Sequence, residues 1–135
     1  MARTFNQTVA EAKATMPVIS AAETQRRMQA DPITLLIDVR DAADIATTGM
    51  IPGAANISLG TLTYKADNEV PMDWRDPRLA DRSRRIITVC ALDPMGSLAG
   101  KLLKDMGFTN VSILEGGMGA WIAAGFPTVQ PSTAG

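Results

Sequence analysis

Cys90 is the only cysteine of the chain, and its surroundings point to sulfur nucleophile chemistry. Arg85 and the apolar, β-branched run Ile86-Ile87-Thr88-Val89 lead to it, and Ala91-Leu92-Asp93-Pro94-Met95-Gly96-Ser97 leads away into a helical pattern. A parallel α/β sheet presents reactive groups in this way, at the carboxyl end of a strand and facing the positive end of the next helix. A thiolate there gains from loop N–H groups and the helix terminus, so it is expected to ionise below the usual value of about 8.5. The other reading of a lone cysteine is a small buried hydrophobe, and position alone leaves both open. The chain has no histidine. That removes the commonest general base, the usual cysteine-protease pair and the usual zinc ligands. Any nucleophile must be activated without imidazole, and no metal and no cofactor are expected.

A chain of 135 residues makes one domain, long enough to bury about two-thirds of its unfolded surface. Thirteen basic and fourteen acidic residues give a net charge of −1, which lacks the basic footprint of a nucleic-acid binder. The cluster Arg82, Arg84 and Arg85 is expected to be a solvated loop. The amino-terminal residues lack the apolar core of a signal peptide, and no stretch approaches the roughly twenty apolar residues of a membrane span. The expected location is cytoplasmic, where a free thiol stays reduced, with no membrane and no nucleic acid as partner.

Strands and helices alternate along the chain. Asn6 to Thr15 is a weak, alanine-rich helix. Pro17-Val18-Ile19 is a short extended entry, and Ser20-Ala21-Ala22-Glu23 fits a capping box that opens a helix to Gln29. Asp31-Pro32 stops it. Ile33 to Val39 is apolar on both faces, as a buried parallel strand should be. Asp41 opens a short helical turn, Gly49 to Ala54 is a turn, and Ala55-Asn56-Ile57 a brief strand. The prolines and charges of Gly60 to Ser83 read as a long surface connection with one or two helical turns. Ile86 to Val89 is the strand that delivers Cys90. Ser97 to Met106 carries Leu98, Leu102, Leu103 and Met106 on one face and stops at Gly107. Val111 to Leu114 is the last strand, and Gly119 to Ala124 the last helix, burying Trp121.

The series Asp38-Val39-Arg40-Asp41, Gly49-Met50-Ile51-Pro52-Gly53-Ala54, Cys90, Leu102 to Val111, and Leu114-Glu115-Gly116-Gly117-Met118-Gly119-Ala120-Trp121 resembles the successive signatures of a single-domain rhodanese. The resemblance covers residues 17–127. It implies a helical extension over 1–16, a rhodanese-like domain over 17–127 and a loose tail over 128–135. It also implies an α/β fold with a central five-stranded parallel sheet and helices on both faces. The function implied is a sulfurtransferase or sulfur carrier in which Cys90 takes a sulfane sulfur as a persulfide and hands it on. The donor would be a small sulfane-sulfur compound or a persulfidated protein, and the acceptor a thiol or a protein. A catalytically silent binding module of the same family is the alternative.

In such proteins the N–H groups of the loop after the cysteine hold the persulfide. Ala91, Leu92, Asp93, Met95, Gly96 and Ser97 are therefore the expected substrate-binding residues, and Pro94 has no N–H to give. The loop length suits sulfur rather than phosphate. Ala91 and Met95 stand where many active relatives carry arginine or lysine, and the loop's one charge is Asp93. A carboxylate there is expected to raise the thiol pKa and repel thiosulfate, so classical thiosulfate:cyanide activity is expected to be poor. In the silent-module reading Asp93 reaches a cation on a partner. Met50, Leu59 and Thr63 replace the family's usual polar groups at the pocket mouth. Met50, Met95 and Met118 otherwise read as core filling. Asp38 and Arg40 are expected to brace the site, and Glu115 to anchor its loop. Trp74 and Tyr64 either cover the pocket or form an interface.

Overall fold

Strand segments that are apolar on both faces must be covered on both, and the chain meets this demand with one parallel sheet. A computed structural model describes residues 2–131. Its strands are Val18–Ile19 (β1), Leu35–Asp38 (β2), Ala55–Asn56 (β3), Ile86–Val89 (β4) and Val111–Leu114 (β5), in the order β1-β5-β4-β2-β3 with every pair parallel. The helices are Phe5–Thr15 (α1), Ala21–Ala30 (α2), Ala42–Thr48 (α3), Leu59–Lys65 (α4), Pro94–Asp105 (α5) and Gly117–Ala123 (α6). Among the described residues no helix is long and apolar enough to cross a membrane.

Alternation along the strands splits the core in two. Leu35, Ile37, Ile86, Val111 and Ile113 pack with Leu62, Ala99 and Leu103 of α4 and α5 on one face. Leu36, Ile87, Val89 and Leu114 pack with Met118 and Trp121 of α6 on the other. Met50 and Met118 are buried, whereas Met95 is half-exposed. The glycine at 100 lets α5 lie close on the sheet, since a Cβ there would fall 2.9 Å from Ile113 Cγ1. α1 packs on α5 and buries Ala12, and it is closed by a full capping box between Thr4 and Gln7.

Several boundaries differ from the sequence reading. The second strand is Leu35–Asp38, without Ile33, which is exposed because the chain still turns after Asp31-Pro32. Ser20 does cap α2, but the returning half of its capping box is absent, because the Glu23 carboxylate is engaged by Arg26 and Arg27. The connection from Gly60 to Ser83 is more than surface: it begins within α4, adds 3-10 turns at Met72–Trp74 and Pro77–Leu79, and buries Leu62, Ala66 and Leu79. α5 begins at Pro94, not Ser97, as proline tolerates the first helical turn. α6 begins at Gly117, not Gly119. Within the expected tail Val129 is held, exchanging two backbone hydrogen bonds of 2.8 Å with Met50. Residues 132–135 of the expected tail lie outside the described residues. Of the arginine cluster, Arg82 stacks on the Phe108 ring at 4.3 Å, Arg84 donates to the Ile33 carbonyl, and Arg85 pairs with Asp31.

Candidate functional site

The sheet order itself places a crevice. β2 is followed by a connection to β3 on one side, and the adjacent β4 by a connection to β5 on the other. Where neighbouring strands send their helices in opposite directions, a cleft opens at their carboxyl ends. The segments there are Val39-Arg40-Asp41 after β2 and Cys90-Ala91-Leu92 after β4, and all six residues line a cleft of about 560 Å³. Pro94 and Met95 of α5, Leu59, Gly60 and Thr63 of α4, Asp44 of α3 and Phe5 of α1 complete its wall. The Cys90 thiol lies at its floor, only 3% exposed.

The loop after Cys90 wraps around the sulfur. The backbone N–H groups of Gly96, Leu92 and Met95 lie about Sγ and favour its charged form. Gly96 sits against it so closely that a Cβ would lie 3.5 Å from Sγ and 3.3 Å from the Cys90 nitrogen. Thr88 Oγ1 fixes this turn from beneath by donating to the Gly96 carbonyl at 2.7 Å. The first turn of α6 clamps it from behind: Met118 N–H donates to the Cys90 carbonyl at 2.8 Å, and Gly119 N–H to that of Ala91 at 3.0 Å. Gly117 makes the clamp possible. Its φ is +56°, and a Cβ would fall 2.3 Å from the Cys90 carbonyl oxygen and 2.2 Å from that of Leu92, so only glycine fits.

Asp93 meets its cation within the chain, where the silent-module reading expected one on a partner. Its carboxylate accepts from Gly116 N–H at 2.7 Å and from Lys13 Nζ of α1 at 3.0 Å. Burial pushes the carboxyl up, but the Gly116 N–H and the Lys13 ammonium outweigh it, and its pKa lies below the ordinary aspartate value. Asp93 is thus a brace held inside the molecule, with its cation supplied by α1. Glu115, expected to anchor this loop, is exposed with no side-chain hydrogen bond among the described residues; Asp93 does that work. Ser97 also turns inward, its N–H and Oγ both directed to the Asp93 carbonyl.

The Cys90 thiol is pushed above its ordinary pKa, not below it. Burial is the chief cause; the Gly96, Leu92 and Met95 N–H groups pull the other way, and Asp93 adds the weakest push upward. The sequence reading weighed the loop dipoles and the nearby carboxylate and missed the desolvation.

Asp38 and Arg40 form a buried pair beside the cleft. Arg40 donates from Nε to Asp38 Oδ1 at 3.0 Å and from Nη2 to Oδ2 at 2.8 Å, and reaches the Gly49 carbonyl and Thr48 Oγ1. Its donors are directed to the protein. Leu59 and Thr63 both face the cleft, whereas Met50 lies in the core. Trp74 and Tyr64 stack edge-to-face at 6.0 Å, away from the cleft walls. Sequence reasoning missed Phe5, Asp41 and Asp44 as lining residues. Phe5 carried no signal, because its helix precedes the main pattern; Asp41 and Asp44 were legible only as helix-start acids. No cluster of potential metal ligands occurs among the described residues.

The comparisons agree with this geometry. Residues 20–124 match the model of the rhodanese-like domain. A sulfurtransferase of Allochromatium vinosum is 31% identical over 97 residues, 72% of this chain and 79% of that protein. The polysulfide-sulfur transferase homodimer of Wolinella succinogenes superposes with a TM-score of 0.72 at 27% identity, over 96% of this chain and 90% of that one. A protein of unknown function from Rhodopseudomonas palustris, described as a possible tyrosine phosphatase, superposes with a TM-score of 0.86 at 27% identity over 96% of each chain. The chain belongs to the rhodanese-like domain family, among relatives that are sulfurtransferases.

Proposed function

We propose that the protein carries a sulfane sulfur on Cys90 and delivers it to a thiol or another nucleophile. The carrying observation is a lone sulfur in a cleft, with the turn from Leu92 to Gly96 packed against it and its N–H groups favouring the charged form. Such a ring stabilises an anion on sulfur without an imidazole. In the loading step the Cys90 thiolate attacks the outer sulfur of a donor persulfide. The donor S–S bond breaks as the Cys90 S–S bond forms, and the donor leaves as a thiol that takes the proton released by Cys90. A persulfide is more acidic than its parent thiol, so the ring favours the loaded anion even though burial disfavours the free thiolate. In discharge an acceptor thiol or cyanide attacks the outer sulfur and frees Cys90.

A cleft wall without a free cation among the described residues suits a persulfide on a small neutral compound or a protein better than thiosulfate. A phosphatase role is disfavoured for the same reason: gripping an oxyanion takes an arginine with free donors, and Arg40 spends its own on Asp38, Thr48 and Gly49. The buried, high-pKa thiol favours one competing reading, a silent binding module. The test is to incubate reduced protein with thiosulfate, glutathione persulfide or cysteine persulfide and read the intact mass. One added sulfur, mapped to Cys90 and removed by cyanide or a thiol, is the expected result. No adduct from any donor establishes the silent module instead.

A further inference from the structure

The charge of the cleft wall narrows the donor. Asp41 and Asp44 both line the cleft, and neither takes part in an ion pair among the described residues. Asp41 stands at the cap position of α3 but makes no side-chain cap bond, so its carboxylate is not committed to the helix. Among the described residues the one cation in the wall, Arg40, is matched by the buried Asp38 at 2.8 Å. The wall therefore carries a net negative charge. Its remaining surface is apolar and outward-facing, with Phe5 55%, Leu92 65% and Met95 41% exposed.

We propose that the donor is a cysteine persulfide on a polypeptide segment rich in lysine or arginine, whose cations meet Asp41 and Asp44 while its apolar atoms cover Phe5, Leu92 and Met95. This rests on the persulfide reading above. A cleft of about 560 Å³ with an exposed apolar rim is larger than a small alkyl persulfide fills, whereas a chain segment covers floor and rim together. Opposite charge at such a rim acts mainly on the association rate and on rejection of the wrong partner. Transfer is balanced: Cys90 thiol and donor persulfide become Cys90 persulfide and donor thiol, with no external oxidant.

The test uses the full chain and three matched peptides, each with one cysteine persulfide flanked by lysines, serines or glutamates. The rate of one-sulfur loading on Cys90 is followed by intact mass. The lysine peptide is expected to load about tenfold faster than the serine peptide, and the glutamate peptide about tenfold slower. Raising the salt concentration should compress this spread in the unaltered protein, and Asp41→Asn with Asp44→Asn should collapse it. Rates within twofold of one another, or an order indifferent to salt, overturn the proposal while leaving the Cys90 carrier intact. Loading from cysteamine persulfide as fast as from the lysine peptide overturns the polypeptide assignment. Failure of every peptide and of glutathione persulfide to load Cys90 overturns this proposal and the carrier reading together.

Discussion

The two ends of the sheet carry opposite charge and differ in what they can do. At the carboxyl ends of β2 and β4 lies the Cys90 cleft, apolar with Asp41 and Asp44 in its wall. At the amino ends of β2, β4 and β5 a second cavity of about 390 Å³ is lined by Arg26, Arg27, Arg85, Asp31, Thr34 and Ser112. Helix direction explains the signs. A parallel sheet turns helix starts toward one end and helix finishes toward the other, and acids suit the first as bases suit the second. Asp44 is in the first turn of α3, and Arg27 in the last turn of α2. The arginine-lined end has no cysteine, and its guanidiniums are matched by Glu23 and Asp31. What separates the ends is therefore the ring of backbone N–H groups, not the density of charge.

The comparison breaks most completely at Gly117. Gly117→Ala drives a Cβ into the carbonyls of Cys90 and Leu92, and should destabilise the protein by roughly 3 kcal/mol or more, with sulfur loading lost. Thermal unfolding and intact mass check both effects. Next comes Met95→Arg, which puts at the carboxyl end the free cation it lacks. Thiosulfate turnover should rise about tenfold, and Cys90 alkylation should move to lower pH. If both stay put, the missing cation does not set donor choice.

A smaller loss is expected on breaking the Asp93 brace. Asp93→Ala strips Lys13 and Gly116 of a partner and should destabilise by about 1 kcal/mol after solvent screening of this half-exposed pair. The depressed carboxyl pKa gives the sign with pH. The brace contributes fully above the ordinary aspartate range and is lost as pH falls through the lowered value. Acid unfolding curves of the wild type and the variant should therefore converge at low pH. Cys90 behaves oppositely. Its raised pKa favours the fold below the ordinary thiol value, and this is lost as pH climbs through the raised one. Iodoacetamide labelling should accordingly have its midpoint above that of a free thiol. The smallest effect belongs to the arginine end, where Arg85→Ala should change stability by less than about 1 kcal/mol and leave loading unchanged.

Much of this was legible in the sequence because it rested on patterns with one physical meaning. The doubly apolar run from Ile33 to Val39, the strand ending on Cys90 and the paired glycines at 116 and 117 led to the sheet, the cysteine of the cleft and the following turn. What was not legible depended on contacts between distant segments. Lys13 meets Asp93 across eighty positions, so the loop carboxylate that does raise the thiol pKa is also a brace, which its position in the sequence could not show. Phe5 reaches the cleft only because α1 packs on α5. The start of α5 at Pro94 was hidden because a proline after an aspartate reads equally as loop or helix opening. Burial of the thiol overrode the dipoles that position alone suggested.

The ring of N–H groups around a loaded Cys90 is tested most directly by a crystal structure of the protein after treatment with glutathione persulfide. The account predicts one extra sulfur bonded to Sγ and hydrogen-bonded to N–H groups of the Leu92 to Gly96 turn. A bare Sγ after treatment, or an added sulfur turned away from those groups, would contradict it.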